Sequence, residues 1–196
     1  MAGLNPNHVY LPTPDQSTTV GAVNSAPTST TAPTDASTAL PNTWTSCGYV
    51  GTEGLSMSIN KTFTEIRDWS QSLVRRALTG YDGKLSFNVM QLDEDSAKLM
   101  FGTSNVTKTA ATTTKGELIK VSVGADVPPV QSFCFNMKDG NARIRVYVPR
   151  GQVSEFGDVS FTPGAAHQIP VTISTFDDGT GHSIYLFYDD GQTTSA

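Results

Sequence analysis

The segment Leu73–Gly102 constrains the fold more than any other part of this chain, because strand, turn and helix signals follow one another closely there. It predicts a strand over Ser72–Leu78, a turn at Gly80–Gly83 and a second strand over Lys84–Leu92. A short helix follows, and nearly all of the chain downstream predicts strands. One helix in an otherwise β chain, with no catalytic cluster around it, favours a building block over an enzyme.

The predicted helix begins after Asp93, a preferred N-cap residue, and ends at Gly102, which suits the position just past a helix. Acidic residues in the first turn, Glu94 and Asp95, complement the helix dipole. The apolar stripe consists of Ala97, Met100 and Phe101. A helix of roughly eight residues is unstable alone, so we expect it to pack on the sheet.

A β-hairpin is predicted over Ser132–Val148, with Asp139-Gly140 as its two-residue turn. In this register Lys138 lies opposite Asn141. The apolar residues then share one face, in the pairs Met137–Ala142, Phe135–Ile144 and Phe133–Val146. On the other face, Asn136 and Cys134 are expected to lie opposite Arg143 and Arg145.

Other strands are predicted from period-two alternation and from composition. They are Thr18–Ala26, a half-buried strand over Leu55–Ile59, and then Glu117–Val123, Gln152–Phe161, Gln168–Phe176 and His182–Tyr188. Asn105–Gly116 is predicted to be a loop and Pro149–Gly151 a turn. Gly157 suggests a bulge, and Pro170 suggests a sheet edge or a strand start.

The stretch Lys61–Gln71 breaks this alternation, because apolar Phe63, Ile66 and Trp69 are mixed with charged residues. It is predicted to be a long loop, and exposed apolar groups on a loop are typical of a contact surface. The alternative is that Trp69 fills the core of its own subunit.

Residues 1–46 carry only two charged side chains, Asp15 and Asp35, with fifteen Ser or Thr. Such a segment is expected to bury little apolar surface and to be extended or mobile. We expect an N-terminal arm over 1–17, a single β domain over 18–190 with a long Ser/Thr/Pro loop at 27–43, and a short tail over 191–196. Both a flexible linker and a partner-docking arm are compatible with the composition.

The charge distribution argues against tight binding to nucleic acid. The net charge is −5, all thirteen Lys and Arg lie between Lys61 and Arg150, and six acidic residues but no basic ones follow. No basic stripe is available to neutralise phosphates. The sequence also lacks an apolar run long enough to cross a membrane and the basic and apolar regions of a secretory signal.

Motifs that carry chemistry are missing from the sequence. It has no phosphate-binding loop, no nucleophile elbow and no histidine flanked by triad partners, so we expect no enzyme activity and no cofactor. The three histidines show no metal-ligand spacing. Cys47 and Cys134 are expected to be reduced thiols, although the sequence does not decide whether they pair.

Several stretches in order along the chain resemble the major tail protein, or tail tube protein, of long-tailed bacteriophages, most closely those of actinobacterial phages. They are ALPNTWTSCGYVGTEGLS, LVRRALTGYDGKLSFNVMQLDEDSAKLMFG, FCFNMKDGNARIRVYVPRGQVSEFGDVSFTPG and IPVTISTF. The resemblance implies a β-sandwich or half-barrel with one packed helix. It also implies that six copies form a ring, and that rings stack into a hollow tube in the virion through which DNA passes without tight binding.

In such proteins the loop between the second and third strands reaches the next ring. Here that loop corresponds to about Asn60–Ser72, with these candidate contacts: Phe63, Glu65, Ile66, Arg67, Asp68 and Trp69. The terminal arms are also implied to tie rings together. The implied partners are further copies of the chain and the tape measure, tail terminator and distal tail proteins, with assembly in the bacterial cytoplasm.

Two other functions fit the predicted fold. The first is a carbohydrate-binding β-sandwich, which would need an exposed aromatic cluster such as Tyr185, Phe187 and Tyr188. These residues fit a core strand better. The second is the tube protein of a contractile secretion system.

Overall fold

The computed structural model describes residues 4–5, 8–15 and 21–193. Within them the chain forms one α-helix, α1 (Glu94–Phe101), and eleven strands. The strands are β1 (Thr13–Pro14), β2 (Val23–Ala26), β3 (Thr45–Ser46), β4 (Ser56–Arg67), β5 (Leu73–Val89), β6 (Val106–Thr109), β7 (Leu118–Val121), β8 (Gln131–Asp139), β9 (Ala142–Phe156), β10 (Ile169–Thr175) and β11 (Tyr185–Asp189).

Nine of the strands form one antiparallel sheet in the order β3-β2-β8-β9-β10-β5-β4, with β1 added beside β8 and β11 beside β9. The strands β6 and β7 pair separately. Shortly after β3, Val50 bridges to Val89 at the end of β5, so this segment connects two distant parts of the sheet. The sheet therefore curves back on itself. The prediction of a mainly antiparallel β fold with one short helix is confirmed.

The core lies on the concave side of this curved sheet. It collects the alternating apolar residues of β5, β8, β9 and β10, including Leu85, Phe87, Phe133, Phe135, Val148, Val171 and Ile173. Helix α1 covers the core with Leu99 and Met100, both buried. Its predicted N-cap is present, because Asp93 Oδ1 accepts from the Ser96 amide at 2.8 Å. Gly102 ends the helix with φ 85°, and its amide donates to the Lys98 carbonyl.

A second cluster lies on the outer face of β8 and β9. The segment 27–44 crosses this face and buries Leu40 and Trp44 against Cys134 and Tyr147. The expectation that the Ser/Thr/Pro loop buries little apolar surface is therefore wrong. Leu40 is 6% exposed, although no helix or strand forms between β2 and β3.

The buried guanidinium of Arg145 fastens this loop to the sheet. Arg145 is 2% exposed and donates to Asn136 Oδ1 at 2.7 Å, to the Asp35 carbonyl at 2.8 Å and to the Thr38 carbonyl at 2.9 Å. The Asp35 carboxylate accepts from the amide and hydroxyl of Thr38, and the hydroxyl bond contributes most to lowering the pKa of Asp35. The loop thus presents its carbonyls to Arg145 in a fixed local turn.

The predicted turn at Gly80–Gly83 is wrong, because β5 runs through it without interruption. A Cβ on Gly83 would lie 2.5 Å from Thr175 Oγ1, so this glycine allows a close approach by the end of β10. The loop predicted over Lys61–Gln71 is also wrong in most of its length, because β4 extends to Arg67. The strand predicted over Leu55–Ile59 exists as the start of β4, but it is not half-buried, since every residue of β4 is exposed.

The β8–β9 hairpin forms in a register two residues from the predicted one. Asp139 pairs with Ala142, so the turn residues are Gly140 and Asn141, with Gly140 at φ 56°. A type II′ turn requires glycine at this first position. Because a shift of two keeps each side chain on its face, the predicted apolar face persists, with Phe135 opposite Val146 and Asn136 opposite Arg145.

Three further expectations are corrected or refined. Pro149–Gly151 is not a turn but part of β9, where a register irregularity opposite Gln131–Phe133 accommodates the proline. The loop predicted over Asn105–Gly116 contains β6. The bulge predicted at Gly157 is absent there, because the register shift lies between Thr172 and Ile173 of β10, with Pro170 near the strand start.

At the N-terminus, the described part of the arm lies against its own sheet. Strand β1 pairs with β8, and Tyr10 stacks on Tyr188 of β11 at 5.8 Å. Asp15 is 4% exposed, and its carboxylate oxygens lie 3.7 Å from Lys138 Nζ and 3.5 Å from Arg143 Nε. Strand β2 is the C-terminal part of the strand predicted over Thr18–Ala26, whose residues 18–20 lie outside the described residues.

Candidate assembly interface

The β4–β5 hairpin extends beyond the rest of the sheet. Strand β10 pairs with β5 only from Lys84 onward, whereas β4 pairs with it as far as Leu73. Among the described residues, 73–83 of β5 therefore pair with no strand other than β4. At about 3.3 Å per residue this two-stranded part is roughly 35 Å long. An isolated two-stranded hairpin is marginally stable in water, so this length needs further support.

Exposed apolar side chains cover both strands of the hairpin. On β4 they include Phe63 at 45% and Ile66 at 49% exposure, and at the turn Trp69 is fully exposed. The β5 strand adds Leu73, Val74, Leu78 and Tyr81, all at least 45% exposed. Exposed apolar groups at this density are typical of a protein–protein contact surface.

Charged residues organise one face of the hairpin. Glu65 is bound from both sides, by Arg67 Nη2 at 2.7 Å and by Arg76 Nε at 3.3 Å. The Arg76 guanidinium also lies over the Phe63 ring, 5.3 Å from its centroid. These exposed pairs contribute little to stability, but they fix the outline of the face.

The turn at the hairpin tip is held by Asp68. Its Oδ1 atom accepts from the Ser72 amide and the Ser70 hydroxyl, both at 2.8 Å, and these two bonds lower its pKa. Gln71 takes φ 65°, the left-handed region that a glutamine rarely adopts. The Arg67 guanidinium donates to the Gln71 carbonyl at 2.9 Å. The tip is therefore a defined turn that presents Trp69 to solvent.

All six residues predicted as contacts lie in this hairpin, but not on one surface. Alternation along β4 places Phe63, Glu65 and Arg67 on one face and Ile66 on the other, with Asp68 and Trp69 in the turn. The alternative of Trp69 filling its own core is wrong. The exposed apolar residues of β5 are not among the predicted contacts, although Leu73, Val74 and Leu78 lie in the strand predicted over Ser72–Leu78. The apolar content of that strand was the available signal.

Two strands of the sheet have an unpaired edge near the hairpin. Strand β4 pairs only with β5, and β11 pairs only with β9, among the described residues. A groove runs between β11 and the base of the hairpin, lined by Ile59, Leu78, Tyr81, Phe176, Ile184 and Leu186 among others. Its two sides touch through a 2.7 Å hydrogen bond between the Tyr81 and Ser183 hydroxyls.

The aromatic residues of β11 do not form an exposed cluster. Tyr185 and Phe187 pack against the second core cluster, and only Tyr188 is mostly exposed, at 58%. The Tyr185 hydroxyl donates to Asp178 Oδ2 at 2.5 Å, and this bond is the main cause of a strongly lowered Asp178 pKa. The contact ties β11 to the preceding loop, and these three aromatic side chains do not form one exposed platform for a sugar.

The described residues hold no cluster of His, Cys, Asp or Glu suited to a metal ion. Cys47 and Cys134 are buried and unpaired, and burial raises the pKa of each thiol to about 12. Thiols with this pKa are almost entirely protonated at neutral pH and are poor nucleophiles. No helix in the described part of the chain is long and apolar enough to cross a bilayer.

Comparisons with known proteins identify the family. A search of curated proteins returned no match. Among solved structures, the chain is similar to one from the virion of a native gene transfer agent particle, with 10% identity and a TM-score of 0.39, over 76% of this chain and 92% of that one. The sequence model of the family described as phage tail tube protein matches residues 3–196. The chain therefore belongs to the phage tail tube protein family and is a structural protein of the virion tail.

Proposed function

We propose that copies of this chain form hexameric rings that stack into a hollow tail tube, through which DNA is delivered into the host cell. The observation that carries the proposal is the projecting β4–β5 hairpin, whose β4 residues and tip are all exposed. A lone subunit would leave this apolar surface in water, whereas a second copy would bury it.

Lateral pairing of strand edges would build the ring. The free edge of β4 offers twelve residues of backbone, and β11 offers five on the side away from β9. Unpaired edge amides and carbonyls are templates for another strand, and a ring closes when every copy pairs both of its edges. The number six comes from the family resemblance.

Stacking of rings would use the hairpin. In this proposal Phe63, Glu65, Ile66, Arg67, Asp68 and Trp69 contact the next ring. Residues 1–17 and 191–196 act as arms around a single domain at 18–190. Within the described arm residues 8–15, strand β1 pairs with β8 of the same subunit. Because the hairpin has exposed apolar groups on both faces, it suits a site between two surfaces rather than one.

The net charge of −5 suits a passage for DNA. A surface short of cations does not retain phosphates, so DNA would slide without tight binding. The tape measure, tail terminator and distal tail proteins are the proposed further partners, with assembly in the bacterial cytoplasm and no enzymatic step. Closeness to the proteins of actinobacterial phages stays a prediction, as does the distinction from a contractile secretion tube.

Electron microscopy of the purified chain tests this proposal. Negatively stained samples at increasing protein concentration should show rings and hollow rods of uniform diameter. A discrete monomer at every concentration would contradict self-assembly. Glycan binding by such a monomer would instead support the carbohydrate-binding alternative.

A further inference from the structure

An exposed aromatic surface lies at the end of the sheet opposite the hairpin tip. Strand β5 starts at the tip and ends at Val89, which pairs with Ile169 at the start of β10. The loop 157–168 joins β9 to β10 at this same end. The hairpin tip and this loop therefore mark the two ends of one continuous strand.

The loop presents Phe161 to solvent in a fixed position. Phe161 is 83% exposed and stacks on the His167 ring, with centroids 4.7 Å apart and an interplanar angle of 18°. Val159 at 38% and Phe156 at 42% exposure extend the apolar area. Phe156 is in turn supported by Phe101 of α1, whose ring stacks on it at 5.0 Å. We call Phe156, Asp158, Val159 and Phe161 the end patch.

The end patch is negatively charged, whereas the outer part of the hairpin carries a small excess of positive charge, with Arg67, Arg75 and Arg76 against Glu65 and Asp68. The segment 153–168 contains Glu155 and Asp158 and no Lys or Arg, and Glu53 lies beside it through Asn88. Glu155 is paired with Lys84, whereas Asp158 has no cationic partner among the described residues. On the hairpin, Arg75 likewise lacks a carboxylate partner within the described part of the chain. An arginine–aspartate contact and an arginine or tryptophan on an aromatic face are both favourable across an interface.

We infer that the end patch is the surface on which the Trp69 tip of a second copy docks. This inference rests on the proposed stacking function and names the receiving side of the same contact. A stack that grows without limit needs two different, complementary surfaces on every copy. The tip occupies one end of the subunit, and the end patch supplies exposed apolar area and negative charge at the other.

Cysteine cross-linking tests the inference directly. Ser70→Cys places a thiol in the tip turn, and Thr162→Cys places one beside Phe161; both positions are exposed. The native Cys47 and Cys134 are buried, with pKa values raised to about 12, so they do not compete for a maleimide. Assembled tubes of S70C/T162C are treated with a short bifunctional maleimide. S70C/A165C serves as a second reporter, and S70C/T28C, with its second thiol on the exposed outer loop, is the matched control.

The expected result is a ladder of covalent dimers, trimers and longer chains from S70C/T162C or S70C/A165C, because each copy carries one tip and one end patch. The control should give at most isolated dimers. Tubes that yield no ladder from either loop reporter, or equal ladders from the control, would overturn the inference while leaving the proposed function intact. Wild-type chain that forms no tubes would instead refute the proposed function itself, and the inference with it.

Discussion

Replacing Arg145 tests whether a single buried cation holds the outer loop on the sheet. Arg145→Met keeps an unbranched apolar stem of similar length and removes all three guanidinium hydrogen bonds. The variant leaves the Asp35 and Thr38 carbonyls and Asn136 Oδ1 without their present donor. We expect the segment 27–44 to loosen while the inner core persists, since the two clusters are made of different residues.

The magnitude follows from opposing contributions. Three hydrogen bonds from a charged donor contribute about 1.5–3 kcal/mol each, while burying the guanidinium costs several kcal/mol. The difference predicts a net destabilisation of about 2–3 kcal/mol for Arg145→Met. Arg145→Lys should lose at least as much, because an ammonium keeps the desolvation cost but does not reach three acceptors arranged around a planar fork.

Urea unfolding and tryptophan fluorescence measure the effect. With a slope of about 2 kcal/mol per molar urea, the midpoint should fall by roughly 1 M. The chain has two tryptophans, so a Trp69→Phe background leaves buried Trp44 as the reporter of the outer cluster. Its emission should shift to the red in Arg145→Met before the sheet unfolds. An unchanged midpoint and emission in Arg145→Met would refute the reasoning, and full rescue by lysine would show that charge alone is sufficient.

Replacing both Trp69 and Phe63 by alanine should raise the protein concentration needed for tube assembly at least about tenfold without changing the unfolding of the monomer. The control Val123→Ala, also at an exposed position, should change neither quantity. If the double variant assembles like the wild type, the contact lies elsewhere. The tyrosine hydrogen bond described above lowers the pKa of Asp178 in the folded state. Its contribution to stability is therefore complete above the ordinary pKa of 3.8 and is lost as the pH falls through the folded-state value, so Asp178→Asn should flatten the pH dependence of unfolding at the acidic end. Gly151→Ala would place a Cβ 2.8 Å from the Ile173 side chain and should cost about 1–3 kcal/mol in urea unfolding, and no loss would mean that the core shifts freely.

Local sequence patterns predicted the structure correctly where residues that are close in sequence are also close in space. The N-cap at Asp93, the helix end at Gly102 and the apolar face of the β8–β9 hairpin were predictable for this reason. The position of the outer loop was not, because its anchor is a hydrogen bond between Asp35 and Arg145, 110 residues apart. The residues around Asp35 or Arg145 in the sequence do not indicate a partner so far away along the chain.

The length of the β4–β5 hairpin could not be predicted from the sequence for a different reason. Glycines at 80 and 83 are typical of turns, but here Gly83 makes room for Thr175 in a neighbouring strand. Alternation over Leu55–Ile59, at the start of β4, predicted a strand with one buried face, yet periodicity does not say whether that face is buried by the same chain or by another copy. The candidate contacts could therefore be named from the sequence, while their division between two faces and the contribution of β5 required the structure.

The unbroken course of β5 has a mechanical consequence. A force applied along the hairpin enters the domain through one strand, which stays paired with β4 through two register irregularities and leads directly into the six residues paired with β10. Such a force pulls parallel to the strand, so all the cross-strand hydrogen bonds resist together in shear and do not open one after another like a zipper. A polymer linked through these hairpins would resist stretching along its axis in proportion to the length of that shared strand.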